Sequence, residues 1–201
     1  MRMLSRVKCR LRPVPSDPRG RRFVAVIECI LNQNARDQGA ACTPAMDFSL
    51  LQLCHKHDVG ILQMPCPEIQ ALGFARTRAP GRSIREALND EASVARCTAL
   101  AHDVTERIEI YLSQGYEIVA VLGGNPESPG CAIHEDHDSL SDHAGLFMRE
   151  LQSELRQRGR DPRFLAIRDY DPDLYRLDLE AFERLLSTTS SALNQSVEKS
   201  Q

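Results

Sequence analysis

At 201 residues, 42% of them hydrophobic and 26% charged, the chain suits one globular domain that needs no crosslinks to bury a core. No apolar run approaches the roughly 20 residues a membrane helix needs, and an odd count of seven cysteines excludes complete disulfide pairing. The net charge of −3 is uneven. Residues 1–22 hold eight Arg or Lys against one Asp, leaving the remainder at about −10, which argues against a stable nucleic-acid complex.

Residues 1–22 also carry Pro13, Pro15, Pro18 and Gly20 and lack the apolar stretch of a secretory signal. They read as a basic leader without packed structure, with nucleic-acid contact or an organelle address as rival readings. A cytoplasmic location is expected. Residues 23–30 form the first of four β-branched runs, followed by 60–64, 117–122 and 163–167. Each is nearly continuous in Val, Ile, Leu or Ala, as in strands covered on both faces. Helix signals fall between them. Thr43-Pro44 offers an N-cap followed by proline at the first helical position. Ser83 to Glu86 is a capping box, opening a long periodic stretch that Gly115 ends and that is expected to break near Asn89-Asp90. A helix is expected over 142–158, with Ser139 and Asp142 as cap signals, and another over 179–193. Residues 194–201 read as a frayed polar tail. Strands alternating with helices predict an α/β, three-layer, Rossmann-like domain over 23–193, with a mostly parallel sheet of about four strands.

In open sheets of this kind, ligands bind beyond the carboxyl ends of the strands. Cys29, Cys66 and Cys131 each belong to that edge, at or after the first, second and third runs. Cys54 and Cys97 fall inside helices as small apolar groups, and Cys42 is a spare candidate. Three thiolates at one rim need a positive partner, and a metal centre removes the thiol protons outright. Three protein sulfurs leave one position open, as in a catalytic zinc or a four-iron, four-sulfur cluster.

The segments Cys29-Ile30-Leu31-Asn32-Gln33-Asn34, Pro65-Cys66-Pro67-Glu68 and Ser128-Pro129-Gly130-Cys131 together resemble the thiouracil desulfurase family, in a desulfidase-related branch. Leu72-Gly73-Phe74-Ala75-Arg76 and Gly145-Leu146-Phe147-Met148 resemble that branch too, so the likeness spans about 23–170. It implies a 4Fe-4S cluster ligated by Cys29, Cys66 and Cys131, whose open iron captures the sulfur of a thiolated small molecule while water replaces it on carbon. Gly130, Ala132 and Asn32 depart from the broader family pattern, which leaves thiouracil itself in doubt as the substrate.

Exchanging sulfur for oxygen requires proton transfer by a group within reach. Glu68 is the first candidate, beside a capping role as its bland alternative. Ser128 and Asn32 are candidates to orient substrate or to bond cluster sulfurs. Arg76 and Arg78 could pair with an anionic substrate or be solvated, and Arg36 with Gly39 matches an Arg…Gly element after the first cysteine. Three rivals stand beside this reading. One is a zinc or non-haem iron hydrolase built on Cys131, His134 and His137. Another is a Cys66 nucleophile activated by a histidine. The last is an iron–sulfur sensor without catalysis.

Overall fold

A computed structural model of the protein describes residues 17–136 and 139–198, with side chains at 136 and beyond 188 excepted. Most of the basic leader therefore lies outside the described residues, as do His137 and Cys9.

Four strands, β1 (Arg22–Ile27), β2 (Gly60–Met64), β3 (Glu117–Gly123) and β6 (Arg163–Ala166), form one sheet in the order β2-β1-β3-β6. Every pairing is parallel. A second, two-stranded antiparallel sheet joins β4 (Glu135–Asp136) to β5 (Ser139–Leu140). All six residues of β1 are buried, as its all-apolar run Phe23 to Ile27 demands of a central strand. The helices are α1 (Glu28–Leu31), α2 (Phe48–Lys56), α3 (Pro67–Leu72), α4 (Ile84–Leu88), α5 (Glu91–Leu112), α6 (Leu146–Gln157) and α7 (Pro172–Glu198). One group packs α5 against α3 and α6, and another packs α2 against α7. The chain is therefore a three-layer α/β/α domain with a four-stranded parallel sheet. No helix among the described residues is long and apolar enough to cross a membrane.

Ser83 and Glu86 form the full reciprocal capping box at the start of α4, and the chain breaks between α4 and α5 at Asn89-Asp90 as expected. Four boundaries differ from the sequence reading. The first strand stops at Ile27, and Glu28 to Leu31 turn helical, so Cys29 sits in a helical turn rather than at a strand end. Asp47, not Thr43, caps α2, its carboxylate accepting from Leu50 N at 3.0 Å. Gly145, not Ser139 or Asp142, is the N-cap of α6. The last helix begins at Pro172, where Asp171 Oδ1 accepts from the amides of Asp173 and Leu174, and continues to Glu198, into the stretch expected to be a frayed tail.

Candidate metal centre

With the order β2-β1-β3-β6, the connection leaving β1 leads to β2 on one side, and the connection leaving β3 leads to β6 on the other. The crevice of an open sheet lies at that switch, beyond the carboxyl ends of β1 and β3. Cys29 follows β1 by two residues, Cys66 follows β2 by two, and Cys131 lies in the loop after β3. All three line one cavity of about 280 Å³, together with Glu68, Ser128, Arg36 and Arg76. Its remaining wall includes the apolar Ala35, Ala40, Ile84 and Pro129 and the polar Asp37, Asn125 and Glu127.

Each cysteine is held by its own local device. Cys66 is the N-cap of α3 with Pro67 at the first helical position, and Glu28 Oε2 accepts its backbone N–H at 2.8 Å. That bond ties the turn after β1 to the turn after β2. The Cys131 loop folds back on β3, where Gly124 N donates to Cys131 O at 3.0 Å. The first amides of α6 then grip the same loop, Leu146 N bonding Pro129 O and Phe147 N bonding Gly130 O. Those amides, orphaned at any helix start, are spent on loop carbonyls. Two glycines make room. A Cβ on Gly124 would lie 2.8 Å from Cys131 Sγ and 3.9 Å from Cys29 Sγ. One on Gly130 would lie 2.7 Å from Pro67 Cγ.

A polar chain surrounds the sulfurs. Ser128 Oγ donates to Glu68 Oε1 at 3.0 Å, stands 3.1 Å from Cys131 Sγ and accepts from Cys131 N at 3.2 Å. Arg76 Nε faces Glu68 Oε2 at 3.5 Å, and its Nη2 reaches Cys66 Sγ at 3.7 Å and also bonds Ala35 O. Its Nη1 donates to Phe74 O at 2.7 Å. Arg76 is 2% exposed and adopts a left-handed φ of +46°, a strained backbone that persists where surrounding contacts over-determine it. With its donors so engaged, Arg76 works as a buried cation and clamp.

Burial pushes the Cys66 thiol up to about 11, outweighing the hydrogen bond from Ile69. The neighbouring Cys131 thiol lowers Cys29, and Cys29 in turn raises Cys131 well above the usual range, with burial adding to the rise at Cys131. Arg36 beside Cys29 also lowers its thiol.

Other sequence candidates fall elsewhere. Asn32 is exposed, its amide oxygen capping the next turn through Asn34 N and Nδ2, and it does not line the cavity. Its neighbour Gln33 is the residue turned inward, 1% exposed. Arg78 is exposed, with Nε and Nη1 on the carbonyls of Arg82 and Arg76. Cys54 and Cys97 are buried among apolar side chains, and exposed Cys42 holds its sulfur 3.2 Å from Arg36 Nη1. Of the alternative zinc site, His134 Nε2 pairs with Pro126 O at 3.0 Å. No described histidine lines the cavity.

Among the described residues, no three His, Cys, Asp or Glu side chains form a group that could hold a metal ion. Tetrahedral zinc draws each sulfur to about 2.3 Å from one atom, whereas an iron–sulfur cluster takes its cysteines on separate irons and tolerates a wider spread. What the cavity offers to any such group is three thiols on its wall and two buried guanidinium groups beside them.

No family model matches the chain. Among curated proteins, an uncharacterized protein of Methanocaldococcus jannaschii is 25% identical over 137 residues, covering 68% of this chain and 80% of that protein. No solved structure matches.

Proposed function

We propose that the chain is an iron–sulfur-dependent desulfurase, in which Cys29, Cys66 and Cys131 hold a 4Fe-4S cluster. The substrate is a thiolated small molecule, a thiolated nucleobase or a related thiocarbonyl compound. The observation that carries this reading is the meeting of three cysteines, from three loops distant in sequence, on one cavity. The resemblance of their flanking motifs to the thiouracil desulfurase family supports it further.

When bound, such a cluster supplies an open, thiophilic iron to the substrate's sulfur. The chain's own groups do the rest. Replacing C=S by C=O consumes one water and releases sulfide, so a proton must leave the attacking water and return to the heterocycle or the departing sulfur. Glu68 is the carboxylate in the cavity wall suited to carry it, with Ser128 orienting its Oε1. Arg36 and Arg76 offset the charge of three thiolates in a buried place. Ala35, Ala40, Ile84 and Pro129 present apolar surface to the ring and limit bulk water. The six described cysteines are free, which suits a reducing compartment, and we take this to be the cytoplasm.

Anaerobic reconstitution with iron and sulfide tests the proposal. Wild type, Cys54→Ser and Cys97→Ser should bind iron and acid-labile sulfide and develop a visible absorption band. Cys29→Ser, Cys66→Ser and Cys131→Ser should not. Equal iron in all five variants overturns the ligand assignment. A panel of thiolated bases and nucleosides then reads turnover, and binding without turnover would move the assignment to a sensor.

A further inference from the structure

Behind the cavity stands a carboxylate that the proposed reaction does not use. Asp169 lies in the turn between β6 and α7, its side chain only 6% exposed. Its Oδ2 accepts from Arg36 Nη2 at 2.6 Å and from Gln33 Nε2 at 3.1 Å. With the Asn125 amide turned to satisfy both its ends, Asn125 donates to Asp169 Oδ1 at 3.2 Å and to Ile167 O at 3.3 Å. The turn itself is pinned, because the Arg168 amide and guanidinium both bond Asp178.

These partners come from different loops. Gln33 and Arg36 follow β1, Asn125 follows β3 and Asp169 follows β6. Each reaches towards the cysteines. Gln33 Nε2 also donates to Cys29 O at 3.0 Å, and Gln33 Oε1 accepts from Cys42 N at 2.9 Å. Arg36 and Asn125 line the cavity. The Arg36 side chain is as buried as Asp169, at 6% exposed. A buried ion pair is seldom a net source of stability, though loss of one partner is costly. Its use here is geometric.

We infer that Asp169 is a positioning residue for this site: it fixes the Arg36 guanidinium beside Cys29 and, through Gln33 and Asn125, locks the loops after β1 and β3 to the β6 turn. The inference deepens the proposed desulfurase reading and rests on it for the reaction affected, but its structural half is independent of that reading.

Hydrogen–deuterium exchange on the cluster-free protein reads the structural half. In Asp169→Asn, peptides covering 33–42 should exchange about tenfold faster or more, while β1 and β3 keep wild-type protection. Uniform acceleration over the whole sheet, or none anywhere, overturns the inference. The functional half is read with whichever thiolated compound wild type turns over. Asp169→Asn should lose about 10- to 100-fold in kcat, the usual effect of removing a partner behind a metal ligand, with KM within about twofold, and Asp169→Glu should recover part of it. A merely structural residue would lower the folded fraction and leave kcat per folded molecule unchanged, which would refute the positioning role. Should Asp169→Asn fail to fold, Arg36→Lys keeps the charge, loses the guanidinium's second arm, and should give the same local exchange signature. If wild type turns over no thiolated compound while the exchange pattern appears as stated, the desulfurase reading fails and the locking role of Asp169 stands.

Discussion

Gly124→Ala offers a test in which the sulfur positions alone decide the outcome. The new methyl carbon would arrive 2.8 Å from Cys131 Sγ, about 1 Å inside an ordinary van der Waals contact. Gly124 does not have a left-handed backbone, so no torsional penalty adds to the clash. The sulfur has little room to retreat, because Ser128 Oγ stands 3.1 Å from it and the loop carbonyls behind it are held by α6. Overpacking of this kind costs about 1–3 kcal/mol, which for a domain of this size lowers the melting midpoint by about 2–4 °C per kcal/mol. Gly60→Ala is the control. Its Cβ would meet Arg22 O at 3.5 Å, an ordinary contact, and a strand glycine replaced without strain is neutral or slightly stabilising, by up to about 1 kcal/mol. Urea denaturation of the cluster-free proteins measures both, and iron content after reconstitution shows whether displacement of Cys131 also prevents loading. Gly124→Ala with wild-type stability and full iron would mean that the Cys131 sulfur is not where the structure puts it.

Three further outcomes follow from other parts of the molecule. Burial pushes the Cys54 thiol up to about 12 from 9.0; a folded value above the unfolded one leaves stability intact below pH 9 and erodes it as pH rises from 9 towards 12, by at most about 1.4 kcal/mol per unit. Cys54→Val should flatten that alkaline slope in urea titrations at pH 8, 9.5 and 11, and an unchanged slope would show that this thiol does not ionise on unfolding. Glu68→Gln keeps size and the Ser128 bond but removes the proton carrier, so the loaded protein should retain its iron while turnover falls by about 10²- to 10⁴-fold; full activity would assign the proton transfer elsewhere. Ser83→Ala removes half of the capping box and should cost about 1 kcal/mol in thermal unfolding, without altering iron content.

The sequence carried the sheet well because its strands are apolar runs bounded by breakers. Strand β2 matches the expected Gly60 to Met64 to the residue, with Pro65 stopping it. The run from Val26 to Leu31 is apolar apart from Glu28 and Cys29, and periodicity alone does not separate a buried strand from a buried helical turn. That is why the end of β1 was misplaced. Asp171-Pro172 carries the same cap-then-proline signal as Thr43-Pro44, yet only the former starts a helix. At the latter, tertiary contacts decide: Asp47 caps α2 and also accepts from the Tyr175 hydroxyl, which draws the start to Phe48. That the three cysteines, Glu68 and Ser128 share one cavity was legible from their places after strands. Which of Asn32 and Gln33 turns inward was not, because adjacent residues of one loop differ only in tertiary partners. Asp169 carried no local signal, since its partners lie more than 130 positions away in Gln33 and Arg36.

The parallel sheet imposes an order on biosynthesis. Sites built from closely spaced cysteines can grip metal while the chain is still emerging. Here the sulfurs ride on three strands that neighbour one another only after β1 has paired on both sides, and the last of them, Cys131, follows the first, Cys29, by 102 positions. On the proposed desulfurase reading, iron therefore goes to a recipient whose sheet has already formed, and the unloaded protein has to be stable enough to wait for it.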